Sequence, residues 1–275
     1  MSFDRLSGIA SIFGLVFTIA SYFTLGHPVH IWLLSITSII FIFIACWSIK
    51  RHNIASNYLK GESKIRKIHN RINLDASKIK EKDFDGIIHE LTDLCTEISE
   101  AFKEIKNEEI GVCVKYINGS PKNPYVKTLC RDFHSKEREK NYDKTINDYI
   151  LQNTDFNHII KQMSENKDFD LIYYFANCLA NKHQYTNTHL TDINLPSNCF
   201  SYFKRRKLWP LPYRSTIVVP FLTPDNKRIN GFLCIDSPSS NGFIKERDVV
   251  IMQQIALFMR DIICYVCNNH LSKRK

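Results

Sequence analysis

From Leu6 to Ile49 the chain carries no Asp, Glu, Lys or Arg, and nearly all of its charge is crowded into residues 50–275. Two apolar runs, Leu6–Leu25 and Val29–Ile49, flank the short segment Gly26-His27-Pro28. As a helix rising about 1.5 Å per residue, each run reaches about 30 Å, the thickness of a bilayer core. Gly26 suits a helix end and Pro28 a helix start. A secretory leader is the competing reading, but Arg5 is offset by Asp4, the run is too long, and a second one comes at once after it. The pattern predicts a transmembrane hairpin over residues 1–53, with spans at 6–25 and 29–49. It excludes a purely soluble enzyme and a disordered chain. No later run reads as apolar enough to span, which excludes a polytopic channel.

The basic residues orient the hairpin. Arg5 precedes the first span, the tip carries no Lys or Arg, and Lys50, Arg51, Lys60, Lys64, Arg66, Lys67 and Arg71 come after the second. The positive-inside rule then puts both termini in the cytoplasm. Tyr22, Trp32 and Trp47 stand near span ends, where interfacial aromatics are expected. Ser7, Ala10, Ser11, Gly14, Thr18 and Ser21 recur along the first span at three- and four-residue spacing. Such a stripe lets membrane helices approach closely, either within one hairpin or between copies in a homo-oligomer.

Residues 54–107 read as a helical linker broken near Asp83, a residue suited to an N-cap. Before the break, Tyr58, Ile65, Ile68, Ile72 and Ile79 keep a loose helical period among Lys and Arg, a basic surface that membrane lipid would attract. After it, Phe84, Ile88, Leu91, Cys95, Ile98, Phe102 and Ile105 alternate four- and three-residue steps. That seam fits a parallel dimer or a helix packed on its own domain.

From Glu108 to the end the pattern becomes mixed. Ile110–Ile117, closed by Asn118-Gly119-Ser120-Pro121, and Tyr125–Phe133 read as strands. Thr145–Gln162 and Phe169–Ala180 read as helices, with Tyr173, Tyr174 and Phe175 as core bulk. Ser215–Thr223 and Ile229–Ser237 form a hairpin around Pro224–Arg228, and Lys245–Asn268 is a long helix.

The stretch Tyr213–Phe221, then Ile229–Ser237 with Gly231 and Asp236, then Gly242-Phe243, Glu246 and Asp248, resembles the GAF family of small ligand-sensing domains. The resemblance implies an α+β fold, a central antiparallel sheet flanked by helices, over residues 108–275. Pro220 would then stand at an edge or strand end, and Gly231 where backbones approach closely. The middle of the chain has no matching pattern. The Asn-Lys, Phe and Asp-Glu signature of cyclic-nucleotide binders is absent at the required spacing, so the cofactor or ligand stays unknown.

Lys204-Arg205-Arg206-Lys207 beside Trp209, Tyr213 and Arg214 is the most unusual local cluster. Arg205, Arg206, Trp209, Tyr213 and Arg214 could hold a small anionic ligand or nucleic acid by charge and stacking, or form a solvated basic loop. The formal net charge of +9 is compatible with an anionic partner. The nine cysteines read as reduced thiols used as small apolar residues. Cys264 and Cys267 with His270 have metal-like spacing but lack a second Cys pair, so no metal is expected. No nucleophile elbow, phosphate-binding Lys loop or zinc-protease motif is present, and the chain reads as no enzyme.

The whole architecture resembles membrane effectors of bacterial antiviral (abortive-infection) systems, those paired with retrons or cyclic-nucleotide synthases. That resemblance implies an inner-membrane protein whose cytoplasmic sensor is released by a small ligand, a nucleic acid or a protein trigger. A membrane-tethered sensory regulator acting on a partner protein is the alternative.

Overall fold

The computed structural model describes residue 14 and residues 28–120, 122–138, 148–165, 171–182, 184–190 and 207–271. The chain divides into two compact units, Met1–Leu59 and Lys60–Lys275.

Helix α1 (Pro28–Lys78) begins in the first unit at the proline that the sequence marks as a helix start, and its residues 60–78 belong to the second unit. Ile39, Ile42, Phe43, Trp47 and Ile49 are each more than half exposed along it. The run Leu6–Leu25 and the turn before Pro28 lie outside the described residues, as do Ser7, Ala10, Ser11, Thr18 and Ser21. Gly14 is helical and exposed, with open space where a side chain would stand. Among the described residues Ser38–Ile49 is a shorter apolar helical stretch. The one helix there that is long and apolar enough to cross a membrane is Lys245–Leu271. This corrects the expectation that no later run could span. More than half of that apolar window is buried within the protein, as in the core helix of a globular unit.

The second unit is α+β. Strands β1 (Gly111–Ser120), β2 (Asn123–Arg131), β3 (Asp148–Tyr149), β4 (Tyr174–Ala176), β5 (Ser215–Leu222) and β6 (Ile229–Ser237) form one antiparallel sheet. Their order is β3-β2-β1-β6-β5-β4. Period-2 alternation divides the side chains between two faces. Val112, Val114, Ile217, Val219, Phe221, Leu233 and Ile235 turn to one face and are fully buried. Helices α2 (Phe84–Lys106) and the C-terminal Lys245–Val266 lie on that side.

The α2 seam is consumed within the chain. Leu91, Cys95, Ile98, Phe102 and Ile105 are buried, but so are Ile87, Leu94 and Ala101, which a two-stranded seam would leave outside. Part of that burial comes from α1, whose Ile68 and Ile72 are fully buried and whose Gly61 meets Ile105 with no room for a Cβ. Asp83 caps α2 as expected, its carboxylate accepting from the Gly86 amide at 2.9 Å. The basic surface of α1 is answered by acids on α2. Lys64 pairs with Glu104 at 2.6 Å, and Arg71 pairs with Glu90 at 3.0 Å and with Glu97.

Two features of the hairpin stand where the sequence puts them. Pro220 sits opposite Phe232 of β6, beyond the last residue of β5 that β4 pairs, so its missing N–H leaves no ladder bond unmade on that side. Gly231 faces Tyr116 across β1, and a Cβ there would run into the Lys115 carbonyl. Two segments differ from expectation. The run read as one helix over Thr145–Gln162 holds strand β3 and a 3-10 turn (Ile150–Gln152), and its helix starts only at Thr154. Tyr173-Tyr174-Phe175, read as helix, contributes to edge strand β4, paired Tyr174 to Val218 and Phe175 to Ile217. Pairing with β5 outweighs the weak local preference of a short aromatic run.

Candidate functional site

The other face of the sheet is hollow where it meets α3 (Thr154–Glu165) and the segments 184–190 and 209–213. A cavity of about 60 Å³ lies there, walled by Cys113 and Lys115 of β1, Arg131 of β2, Asp148 of β3 and Asp155 and Phe156 of α3. Thr216 and Val218 of β5, Cys234 and Asp236 of β6, and Asn187, Leu211, Pro212 and Tyr213 of the overlying segments complete it. At about 10–15 Å³ per water-sized group, the space holds a ligand of about four to six such groups.

The wall is unusual for its charge. Lys115, Arg131, Asp148, Asp155 and Asp236 are all under a tenth exposed. Lys115 Nζ donates to Asp148 Oδ2 at 2.9 Å and to Thr128 Oγ1 at 3.1 Å. Buried charges of this kind cost several kcal/mol each in desolvation unless they are paired. Asp155 is the exception to the pairing. Its carboxylate accepts from the Phe156 amide at 2.9 Å, and burial pushes its pKa up to about 7, with the neighbouring Asp148 adding to the rise. Burial also pushes the Tyr185 and Tyr213 hydroxyls well above their ordinary value.

The loop over the cavity is pinned by polar bonds. Asn153 Nδ2 donates to Thr188 Oγ1 at 2.6 Å, and the Thr188 amide donates to Asn153 Oδ1 at 3.1 Å. Trp209 is buried beside the cavity, its indole N–H donating to the Tyr213 carbonyl at 2.7 Å. On the wall itself Cys113 and Cys234 face each other across β1 and β6, and their shared hydrogen bond together with burial pushes the Cys234 thiol well up.

The sequence-derived candidates distribute unevenly. Tyr213 lines the cavity and Trp209 supports it. Arg214 is half-buried, and its backbone joins Leu179 and Ser237 rather than the cavity wall. Arg205 and Arg206 lie outside the described residues. The residues that carry most of the wall's charge are instead Lys115, Arg131, Asp148, Asp155 and Asp236. A charged residue at an inward position of an apolar strand, as at Lys115 in β1, is the signal that could have found them.

A second concavity of about 690 Å³ opens beside β4, lined by His158, Gln162, Tyr173, Tyr174, Lys182 and Lys245 among others. It is an open groove. Its Lys182 ammonium is already engaged by the Tyr174 hydroxyl and the Phe175 carbonyl, both at 3.3 Å. Among the described residues no three His, Cys, Asp or Glu side chains gather to hold a metal ion.

No protein-family model and no curated protein matches the chain. Solved structures similar to it include the GAF domain of an Acinetobacter phosphoenolpyruvate-protein phosphotransferase, 9% identical with a TM-score of 0.43, covering 74% of this chain and 92% of that one. The corresponding domain from Coxiella burnetii is 10% identical with a TM-score of 0.43, covering 76% and 96%. A type II free methionine-R-sulfoxide reductase from Thermoplasma acidophilum is 13% identical with a TM-score of 0.40, covering 66% and 94%. Likeness at this level assigns neither a ligand nor an activity to this chain.

Proposed function

We propose that the protein is a ligand sensor anchored in a bacterial inner membrane, whose cavity-bearing unit reports the arrival of a small polar molecule. The observation that carries this reading is the cavity over the sheet with five buried charged side chains in its wall. A fold gains nothing in stability from hollowing its core and charging the walls, so such a wall points to a bound molecule. The anchor is supported by the charge-free run Leu6–Ile49 and by the exposed apolar side chains Ile39, Ile42, Phe43 and Ile49. The output we propose to test first is damage to the bilayer itself, the form that the resemblance to antiviral membrane effectors implies.

The test is induction of the full chain in bacteria with membrane fractionation, membrane potential and viability read together. Recovery in the membrane fraction after a carbonate wash, with depolarisation and growth arrest, supports the sensor-effector. Recovery in the membrane with potential intact gives the output to a partner protein. Recovery in the soluble fraction overturns the anchor.

A further inference from the structure

We propose that the cavity receives a small organic cation, a protonated amine of a few heavy atoms, with the Asp155 carboxylate as its counter-ion and the Phe156 and Tyr213 rings beside it. This rests on the ligand-sensing reading above and names the class of ligand.

The first argument is the charge of the wall. Three carboxylates, Asp148, Asp155 and Asp236, stand against two cations, Lys115 and Arg131. Lys115 is already paired with Asp148 at 2.9 Å, so an anion would have to compete with a buried carboxylate for it. Asp155 is 5% exposed, and among the described residues its hydrogen-bond partner is the Phe156 amide. A cation entering beside it meets a carboxylate already held in place by α3. The second argument is the lining. Phe156 and Tyr213 both line the same space, and an ammonium group is attracted to aromatic rings when water is excluded. The third is size, since room for about four to six water-sized groups admits methylammonium or a similar amine and is far too small for a nucleotide. The sign is opposite to that of the anionic ligand suggested by the basic cluster around Arg205.

Binding is coupled to a proton. The groups facing Asp155 are Lys115 on β1, Arg131 on β2, Asp148 on β3, Tyr174 on β4, Asp236 on β6, and Tyr185 and Tyr213 on the overlying segments. Burial, with Asp148 adding, leaves Asp155 half protonated near pH 7. The cation selects the ionised form, so the carboxyl proton leaves to solvent as the amine enters. The apparent affinity then rises about fivefold from pH 6 to pH 7 and flattens above pH 8.

The experiment is thermal unfolding of the full chain in detergent, with methylammonium chloride in one arm and sodium formate in the other, at pH 6, 7 and 8. Proton release on adding methylammonium is read in weak buffer. The expected result is a rise in Tm with methylammonium alone, stronger at pH 8 than at pH 6, with protons released. Asp155→Asn is expected to abolish both the proton release and the pH dependence, and Tyr213→Leu to weaken binding severalfold while leaving proton release per bound amine unchanged. Stabilisation by formate and not by methylammonium overturns the cation class while the sensing reading stands. No response to either probe, in wild type and both variants, overturns the cation and removes the cavity as support for sensing.

Discussion

The two faces of the sheet in the second unit are built from the same strands and differ in kind. On the helix side Val112, Val114, Ile217, Leu233 and Ile235 meet α2 and the C-terminal helix with no polar side chain between them on those strands, and all are fully buried. One residue along, Cys113, Lys115, Thr216, Cys234 and Asp236 face a hollow. The helix face is where apolar burial supplies stability, and the opposite face is where stability is given up for a charged wall. That division teaches where changes should unfold the protein and where they should only alter what it binds.

The largest expected effect lies on the helix face. Phe102→Ala empties a fully buried site on α2, and should cost about 3–5 kcal/mol in denaturant or thermal unfolding. A comparable loss from Tyr213→Leu would break the contrast. Next comes the buried pair on the hollow face. Lys115→Ala removes the ammonium that pairs with the buried Asp148 carboxylate and should cost about 3 kcal/mol, while the double change Lys115→Met with Asp148→Leu should recover most of it.

The third prediction runs in the opposite direction. Burial raises the Asp155 pKa from 3.8 to about 7, so the folded state binds a proton more tightly than the unfolded state does. The stability this gives is fully present below pH 4 and is lost as pH rises through about 7. Asp155→Asn should therefore stabilise the unliganded protein more at pH 8 than at pH 5, by about 2 kcal/mol. The smallest effect belongs to the partly exposed network between α1 and α2. Arg71→Ala, which leaves Glu90 to Lys82 and removes the guanidinium from Glu97, should cost at most about 1 kcal/mol and less at high salt.

The elements legible in the sequence were those whose neighbours are local. The β5–β6 hairpin follows from two β-rich runs around Pro224–Arg228, and the cap at Asp83 from one residue beside an amphipathic run. What long-range pairing decides was less legible. Tyr174 lies in a strand because Val218 stands beside it, and nothing within the stretch Tyr173–Ala176 says so. The cavity was hidden for the same reason. Its wall draws one or two residues each from β1, β2, β3, α3, β5 and β6, and only Tyr213 belonged to the basic and aromatic cluster that the sequence marked. Asp155 in particular reads locally as an ordinary acid in a helix's first turn, where it favours the helix dipole.

Among the described residues the outermost strands are β3 with two residues and β4 with three. Paired backbone at either border of the sheet is therefore short, and Pro220 withholds a donor just past the end of β4. Another chain seeking to extend the sheet finds little template, which protects the fold against edge-to-edge aggregation. At those borders, copies of this protein would have to meet through side chains and not by adding strands.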